Sequence, residues 1–598
     1  MTMSNRIRTT RCAPKGVALL MVLAMIMVIT VLSLGFLARS STELASGQNM
    51  GLRMQMDQTA VSGLEHARGL ILNRPQGVSG GYWAGATAQQ LDASSNDFYD
   101  VNIVADAIDR CNYNITCEAY RLEGGQRVGR SRLAAQLRLD PCVALWLGTA
   151  TALPEGVTVQ GDTYCGGNLA NNGTLAGDVF TAGAMTGSNP TGRVNAPVAQ
   201  TPIPWPDLTV SRYDPSYQVG DTTHSPASVG TYEHPSGSFT PYTGNPAGVR
   251  LRSGDAKLAG NVDITGLFVV DGHLRVSGVN NVITAVSDHP AVLVNNDLII
   301  EPGGALTVNG LAVVKGRTKI SADQGVLNVV GGWFTSNDLV ETTEDASGNG
   351  LTGCVYGAAT WNPSGGRNNG TLQFDGVDDY VDCSDDASFA ILDRITVAAW
   401  VRTQDAGNGE HNPWVTKGNR AYALKHNADS NIEFFIYDPI GAWKSVKYPV
   451  GSAFNNQWHH VAGTYDGNDI KLYIDGVLEV TNPHVGTINN QNFPVNIGHN
   501  ADEADRFYQG AMDEVRIYGR ALDATEILQL FGSPHLAGDT TDLRARYRFD
   551  EAGSVVTITA DPASAKVFMW DWDGAIAVWL GQCWGQAGGA FYKTVYRD

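Results

Sequence analysis

A mainly β, multidomain chain behind one long N-terminal helix is the architecture this sequence predicts. Three observations carry the prediction. The uncharged run "VALLMVLAMIMVITVLSLGFLA" (17–38) stands near the start of the chain. Glycine is abundant, at 68 of 598 residues, and it punctuates short runs that alternate apolar with polar residues. Beyond residue 390 the alternation strengthens, with Asp466-Gly467 and Asp475-Gly476 as tight-turn dipeptides between runs. A chain of this length exceeds one hydrophobic core, so three or four domains are expected.

The formal charge is -19, from 41 basic and 60 acidic residues. No block of Lys or Arg forms a phosphate-tracking stripe, so nucleic acid is excluded as the expected partner. The cysteines follow no CxxC zinc spacing. Cys111/Cys117, Cys142/Cys165 and Cys354/Cys383 are spaced for disulfides in an oxidising compartment, with unpaired buried thiols as the alternative.

As a helix, 17–38 spans roughly 33 Å, enough for a bilayer core. Arg6, Arg8, Arg11 and Lys15 precede it and keep that end cytoplasmic. Leu44, Leu52, Met56, Val61, Leu64 and Leu70 continue at helical spacing until Pro75. A signal peptide has a shorter apolar run, so a helix that is retained is the expectation. "KGVALLMVLAMIMVITVLSLGFL" resembles the N-terminus of type IV pilin-like proteins, especially the K-type minor pseudopilins of type II secretion and the X-type minor pilins. The resemblance implies that a prepilin peptidase cuts after Gly16, that Val17 becomes the first mature residue, and that Cys12 leaves with the leader. Met21 stands where most pilins carry Glu, a departure shared with the K-type proteins. It further implies other pilin-like subunits and the bacterial inner membrane as partners, with the bulk of the chain in the periplasm or at the cell surface. A plain signal anchor is the alternative.

The expected division is a leader at 1–16, the membrane and amphipathic helix at 17–75, and a small mixed α/β segment at 76–150. Then come a β-solenoid-like region at 151–337 with a Pro-rich surface loop at 190–249, a sandwich at 338–557, and a return to the host domain at 558–598. "GNVDITGLFVVDGHLRVSGVNNVITAV" shows the solenoid pattern, a short alternating run and then a Gly or Asn turn. Its spacing is irregular, which leaves a sandwich open for this region. Asp263, Asp271, Asp297 and Glu301 are scattered among turns and make no catalytic cluster.

From residue 338 onward "DASGNG", "LQFDGVDDYVDC", "ITVAAWVRT", "NQWHHVAGTYDGNDIKLYIDGVLE", "VNIGHN" and "GAMDEVRIYGRALDATEILQLF" occur in that order. Together they closely resemble the LamG-like jelly-roll family, a concanavalin A-like sandwich of two antiparallel sheets. The family's opening "YWxFDE" strand is missing before "DASGNG". "RARYRFDEAGSVVT" supplies it after the domain, so a circularly permuted sandwich inserted into a host is expected. "LDATEILQLF" reads as a short helix capped by Asp523, with Glu526 completing a capping box.

No ExDxxE run, GxSxG elbow, HExxH helix or phosphate loop occurs, so an enzyme is not expected. Adjacent His459 and His460 point to opposite faces of a strand and cannot share a metal. Hard carboxylates crowd "FDGVDDYVDCSDD" and "MDE", which suits Ca²⁺. Asp375 and Asp513 are its first candidate ligands, on the resemblance, against a plain turn-capping role. Trp414 and Trp443 lie in polar loop sequence and are the candidates to stack on a ligand. The combined expectation is a pilin-like membrane protein presenting the sandwich to a glycan or surface protein, for adhesion or substrate recognition. The alternatives are a structural envelope protein with a permanent anchor and a secreted carbohydrate-active enzyme.

Overall fold

The computed structural model describes residues 15–72, 83–105, 112–139, 143–198, 205–206, 208–286, 289–357, 359–404, 411–534, 540–560, 566–570, 576–580 and 590–597. Helix α1, Lys15–Leu72, is continuous. No proline interrupts it, and its front half is apolar on every side, with Leu20, Met25, Ile29 and Phe36 all exposed. Its back half buries one stripe, Met56, Ala60, Leu64, Ala67 and Ile71, at spacings of three and four.

That stripe packs on an antiparallel sheet of β1 (Gly85–Gln89), β2 (Asp97–Ala105), β3 (Asn112–Glu123) and β4 (Gln126–Leu139). Tyr99, Val101, Ile115, Cys117, Leu133 and Leu137 form the face under the helix. Gly63 sets the close approach: a Cβ there would lie 2.5 Å from Cys117 Sγ and 2.8 Å from Tyr99 Cδ2. Gln55 donates to Asp97 Oδ2 at 2.7 Å and Ser131 to Asp57 Oδ1 at 2.6 Å, so polar pairs fix the rotation of α1 on the sheet. The mixed α/β expectation for 76–150 is corrected. Its described residues carry strands alone, because alternation at "NYNITCEAY" and "SRLAAQLRL" is of period two. Ala590–Arg597 adds a fifth strand beside β4.

The middle of the chain is a stack of parallel rungs, and the chain enters the stack midway. Val143–Leu147 pairs in parallel with Asp323–Thr335 on one side and with Asp162–Cys165 on the other. Residues 143–198 therefore build outward in one direction. Rungs from Ala227–Ser228 through Arg250–Arg252, Phe268–Val270, Val292–Val294 and Ala305–Val314 return from the opposite end. Inward side chains such as Phe268, Val292, Ala312 and Trp333 stack in register, giving a continuous dry core. At one corner Gly310 and Gly331, both at positive φ, meet backbone to backbone; a Cβ on Gly331 would collide with the Gly310 carbonyl.

The surface loop expected at 190–249 is also corrected. Ala227–Ser228, Glu233–His234 and Gly237–Phe239 are rung strands, held by backbone bonds to Arg250–Arg252, Ala256–Leu258 and Val262–Thr265. Strands this short show no periodicity. The preceding segment straps the outer face of the stack, burying Leu208, Tyr213 and Tyr217 with Trp146, Leu293 and Phe334.

The sandwich grows directly from the stack. Leu339–Thr343 pairs in parallel with Thr318–Ser321 and antiparallel with Gly353–Tyr356, so one 13-stranded sheet runs through both units. The facing sheet centres on Ile395–Thr403, His459–Tyr465 and Gln509–Tyr518. Between them lie Phe374, Val397, Trp414, Tyr422, Phe434, Leu472 and Ile517. Asp475 and Gly476, at φ 50° and 81°, make the two-residue turn expected of that dipeptide. Helix α2, Ala524–Gly532, is capped by Asp523 with Glu526 in a reciprocal capping box.

Leu543–Tyr547 pairs with Gln509–Tyr518, and the Asn349 side chain donates to the carbonyls of Leu543 and Arg544 at 2.8 and 2.9 Å. The boundary at 557 is corrected. Gly553–Ala560 is a strand of the stack, parallel to 326–331 on one side and to Val157–Gln160 on the other. Its alternating Ser554, Val556 and Ile558 face inward to the rung core. Lys566–Trp570 and Ile576–Leu580 form an antiparallel hairpin rather than a rung.

Two buried glutamates pin the crossing. Glu341 accepts from Ser554 N–H at 2.6 Å, Ser554 Oγ–H at 2.7 Å and the Trp361 indole N–H at 2.7 Å. Glu551 accepts from Thr343 Oγ–H at 2.7 Å and Glu344 N–H at 3.0 Å.

Candidate functional site

The acidic loop lies where the sandwich faces the stack. Thr371–Asp375 ends at Gly376, whose φ of 84° turns the chain toward Tyr380–Asp382. Asp375 Oδ1 accepts from Val377 N–H at 2.7 Å, and Asp379 Oδ2 accepts from Asp375 N–H at 2.8 Å. These bonds fold the loop inward, bringing carboxylate oxygens of Asp375, Asp378 and Asp379 within 4.8 Å of one another. Asp375 and Asp378 are exposed, while Asp379 is 3% exposed and its Oδ1 is buried with no hydrogen-bond partner. Burial and the neighbouring Asp375 push Asp379 up to about 8. The same two causes raise Asp378.

The cluster opens onto a cleft of about 640 Å³. One wall is the sandwich rim, with Gln373, Gln404, Gln509 and Thr360 beside the acidic loop. The other wall is the short parallel sheet of the stack, where Asn172 and Thr186 face it. The solenoid side of this cleft was not legible in the sequence. Asn172 sits in "ANNGT" and Thr186 in "MTGSN", both ordinary turn composition, and only the folding of one unit onto the other gives them a role.

The two residues first chosen for Ca²⁺ are not brought together, which corrects that pairing. Asp375 is opposite Gln509 on the ladder and Leu372 is opposite Met512. Asp513 thus lies four residues along the strand, roughly 13 Å away at about 3.4 Å per residue. It is fully buried, accepts from Asn368 N–H at 2.8 Å through Oδ2, and has an unpartnered Oδ1. Burial lifts it to about 8, with Glu514 and Asp550 adding repulsion.

Trp414 as a ligand-stacking residue is also corrected. It is 0% exposed, in the core with its ring stacked 6.4 Å from Phe454. All of Asn412–Thr416 is buried, so both faces of this inner strand are covered. Trp443 is 58% exposed; its N–H donates to the Asn419 carbonyl at 2.7 Å and its ring meets Tyr437 edge-on at 5.1 Å.

Cys354 and Cys383 are free thiols, correcting the bridge expected between them. Cys354 is opposite Asp382, so Cys383 is one residue out of register and points to the other face of the sheet. Cys117 and Cys165 are free and buried. Cys117 packs under Gly63, and Cys165 donates to the Thr149 carbonyl at 3.2 Å. Their expected partners Cys111 and Cys142 lie outside the described residues. His459 bonds Asp475 at 2.8 Å, whereas His460 is buried and pushed down to about 3 by desolvation.

Residues 375–528 match the Laminin_G_3 family model, the concanavalin A-like lectin/glucanases superfamily. The sandwich is a lectin-like jelly roll. The binding domain of Paraclostridial Mosquitocidal Protein 1 is 17% identical over 32% of this chain and 51% of its own, with a TM-score of 0.28. The binding domain of Botulinum Neurotoxin serotype G is 19% identical over 32% and 48%, with a TM-score of 0.26. Domain 4 of AbnA, a GH43 extracellular arabinanase from Geobacillus stearothermophilus solved with arabinotriose, is 18% identical over 32% and 86%, with a TM-score of 0.25. The alignment spans about half the length of the two toxin domains. No curated protein matches the chain.

Proposed function

We propose that the protein is a pilin-like, membrane-anchored surface protein that presents the lectin-like sandwich to a glycan or a surface protein, in adhesion or substrate recognition, and catalyses no reaction. The observation that carries this reading is the division of α1. Its front half is long and apolar enough to cross a membrane and none of it is buried, while its back half is packed on β2–β4. A membrane helix that continues without a break into the core of a folded sheet couples the anchor mechanically to everything beyond it. In this reading a prepilin peptidase cuts after Gly16, and Val17 starts the mature chain. The exposed apolar half then packs among other pilin-like subunits in the inner membrane, with the rest of the chain outside it. The intact mass of the protein from its native membrane tests this. A start at Val17 supports a filament subunit, and a start at Met1 replaces that role with a permanent anchor.

Ca²⁺ belongs to the same reading as a structural ion at Asp375, Asp378 and Asp379. The residues fit it on one observation: Asp379 keeps a buried carboxylate oxygen that no donor satisfies, beside two exposed carboxylates. Chelation should lower the melting temperature of the sandwich. Identical melts in chelator and in excess CaCl₂ would remove the ion from the reading.

A further inference from the structure

We propose that the cleft between the solenoid's short parallel sheet and the sandwich rim is the ligand site, and that it takes a short neutral oligosaccharide gripped from both walls. This rests on the binding role proposed above and names its place and chemistry. The volume, about 640 Å³, lies inside the roughly 300–1,000 Å³ range of small-ligand clefts and is too small for a folded partner. The two walls hold a fixed separation, because one sheet runs through both units and Glu341 and Glu551 bolt the crossing.

The lining selects the ligand class. Among the described residues it contains no Lys, Arg or His, and three carboxylates stand at one end. With no cation held by those carboxylates, acidic sugars and phosphates are repelled. The side-chain amides of Gln404 and Gln509 offer donors and acceptors together, the pattern that hydroxyl groups match, while Gln373, whose NH₂ donates to the Phe374 and Gly510 carbonyls, offers its Oε1. The Oδ1 of Asp379 is buried and has no hydrogen-bond partner within the protein, whereas buried polar atoms are normally paired. Where no Ca²⁺ is held there, a sugar hydroxyl entering the cleft, which both donates and accepts, pairs with it. No exposed aromatic ring lines the described walls, so recognition here runs through hydrogen bonds rather than ring stacking.

The solenoid wall makes the idea testable apart from the sandwich. Thr186 is exposed on an edge strand, so Thr186→Trp plugs the cleft without entering any core. Detergent-solubilised full-length protein would be titrated with lactose, cellobiose and N,N′-diacetylchitobiose, and with trigalacturonate and trilysine as charged probes. The expected result is binding of at least one neutral sugar, weakened tenfold or more by Thr186→Trp and several-fold by Gln509→Ala, and unchanged by Trp443→Ala. Neutral-sugar binding that survives Thr186→Trp but is lost with Trp443→Ala would overturn the cleft while leaving the binding role intact. Tighter binding of trigalacturonate or trilysine would overturn the assigned ligand class. No binding of any probe by a protein whose circular dichroism and melt are normal would overturn this assignment, while the anchor reading stands or falls separately on the N-terminal mass.

Discussion

Replacing Glu341 by Gln should loosen the seam between solenoid and sandwich. The carboxylate is buried and all three of its partners are donors: the Ser554 amide, the Ser554 hydroxyl and the Trp361 indole. A Gln side chain keeps one acceptor oxygen and turns an NH₂ toward at least one of those donors. A hydrogen bond to a charged acceptor is worth about 1.5–3 kcal/mol, and the stranded donor is itself buried, so a cost near 2–3 kcal/mol is expected. At about 1.4 kcal/mol per factor of ten, local opening becomes roughly 30- to 150-fold more frequent. Hydrogen exchange followed by mass spectrometry should show this for amides of 553–560, which lie between two strands of the stack. Unchanged exchange at 553–560, with a normal melt, would refute the claim that this carboxylate holds the seam.

Three other outcomes follow from the same structure. Asp379 and Asp513 rise from 3.8 to about 8 on folding, so the folded state binds their protons more tightly than the unfolded chain. Their contribution is full below about pH 4 and is lost as pH rises toward 8, so in chelator the melting temperature should fall between pH 5.5 and 8.5; the double variant D379N/D513N should flatten that slope. Trp414→Ala should cost about 3–5 kcal/mol through a core cavity, whereas Trp443→Ala should cost less than about 1 kcal/mol, both read by denaturant melts. Glu344 N–H lies 3.0 Å from Glu551, so the sandwich's two ends are adjacent. Joining them by a short Gly-Ser linker in place of 345–551 should leave a soluble remainder with cooperative melting, and aggregation would count against an inserted unit. Cutting instead at 557 should fail, because it removes most of Gly553–Ala560 from the stack.

Much of the fold was legible because its signals are local. The apolar run and unbroken helical spacing of α1 depend on residues within a few turns of one another, as do the Asp475-Gly476 turn and the Asp523/Glu526 capping box. Short alternating runs separated by Gly announced a rung stack for the same reason. The acidic loop was legible too, since Asp375, Asp378 and Asp379 are neighbours in sequence. What failed were the inferences about which side chains are exposed and which distant ones meet, whereas 543–547 does return to the sandwich from far along the chain. Trp414 and Trp443 both sit in polar sequence, yet the first lies on an inner strand buried on both faces and the second on the edge strand Ala442–Pro449. Asp375 and Asp513 share a pair of neighbouring strands, yet the ladder offset keeps them apart.

The amino-acid sequence by itself determined the kinds of element present, because periodicity, capping and turn chemistry are settled by neighbours. Only the tertiary structure decided that 553–560 returns to the stack, that the chain enters that stack midway, and that Asn172 and Thr186 face the acidic loop across a cleft. Those choices are made by strands pairing across tens to hundreds of residues, where the energy lies in burying two surfaces together and neither surface carries a mark of its partner.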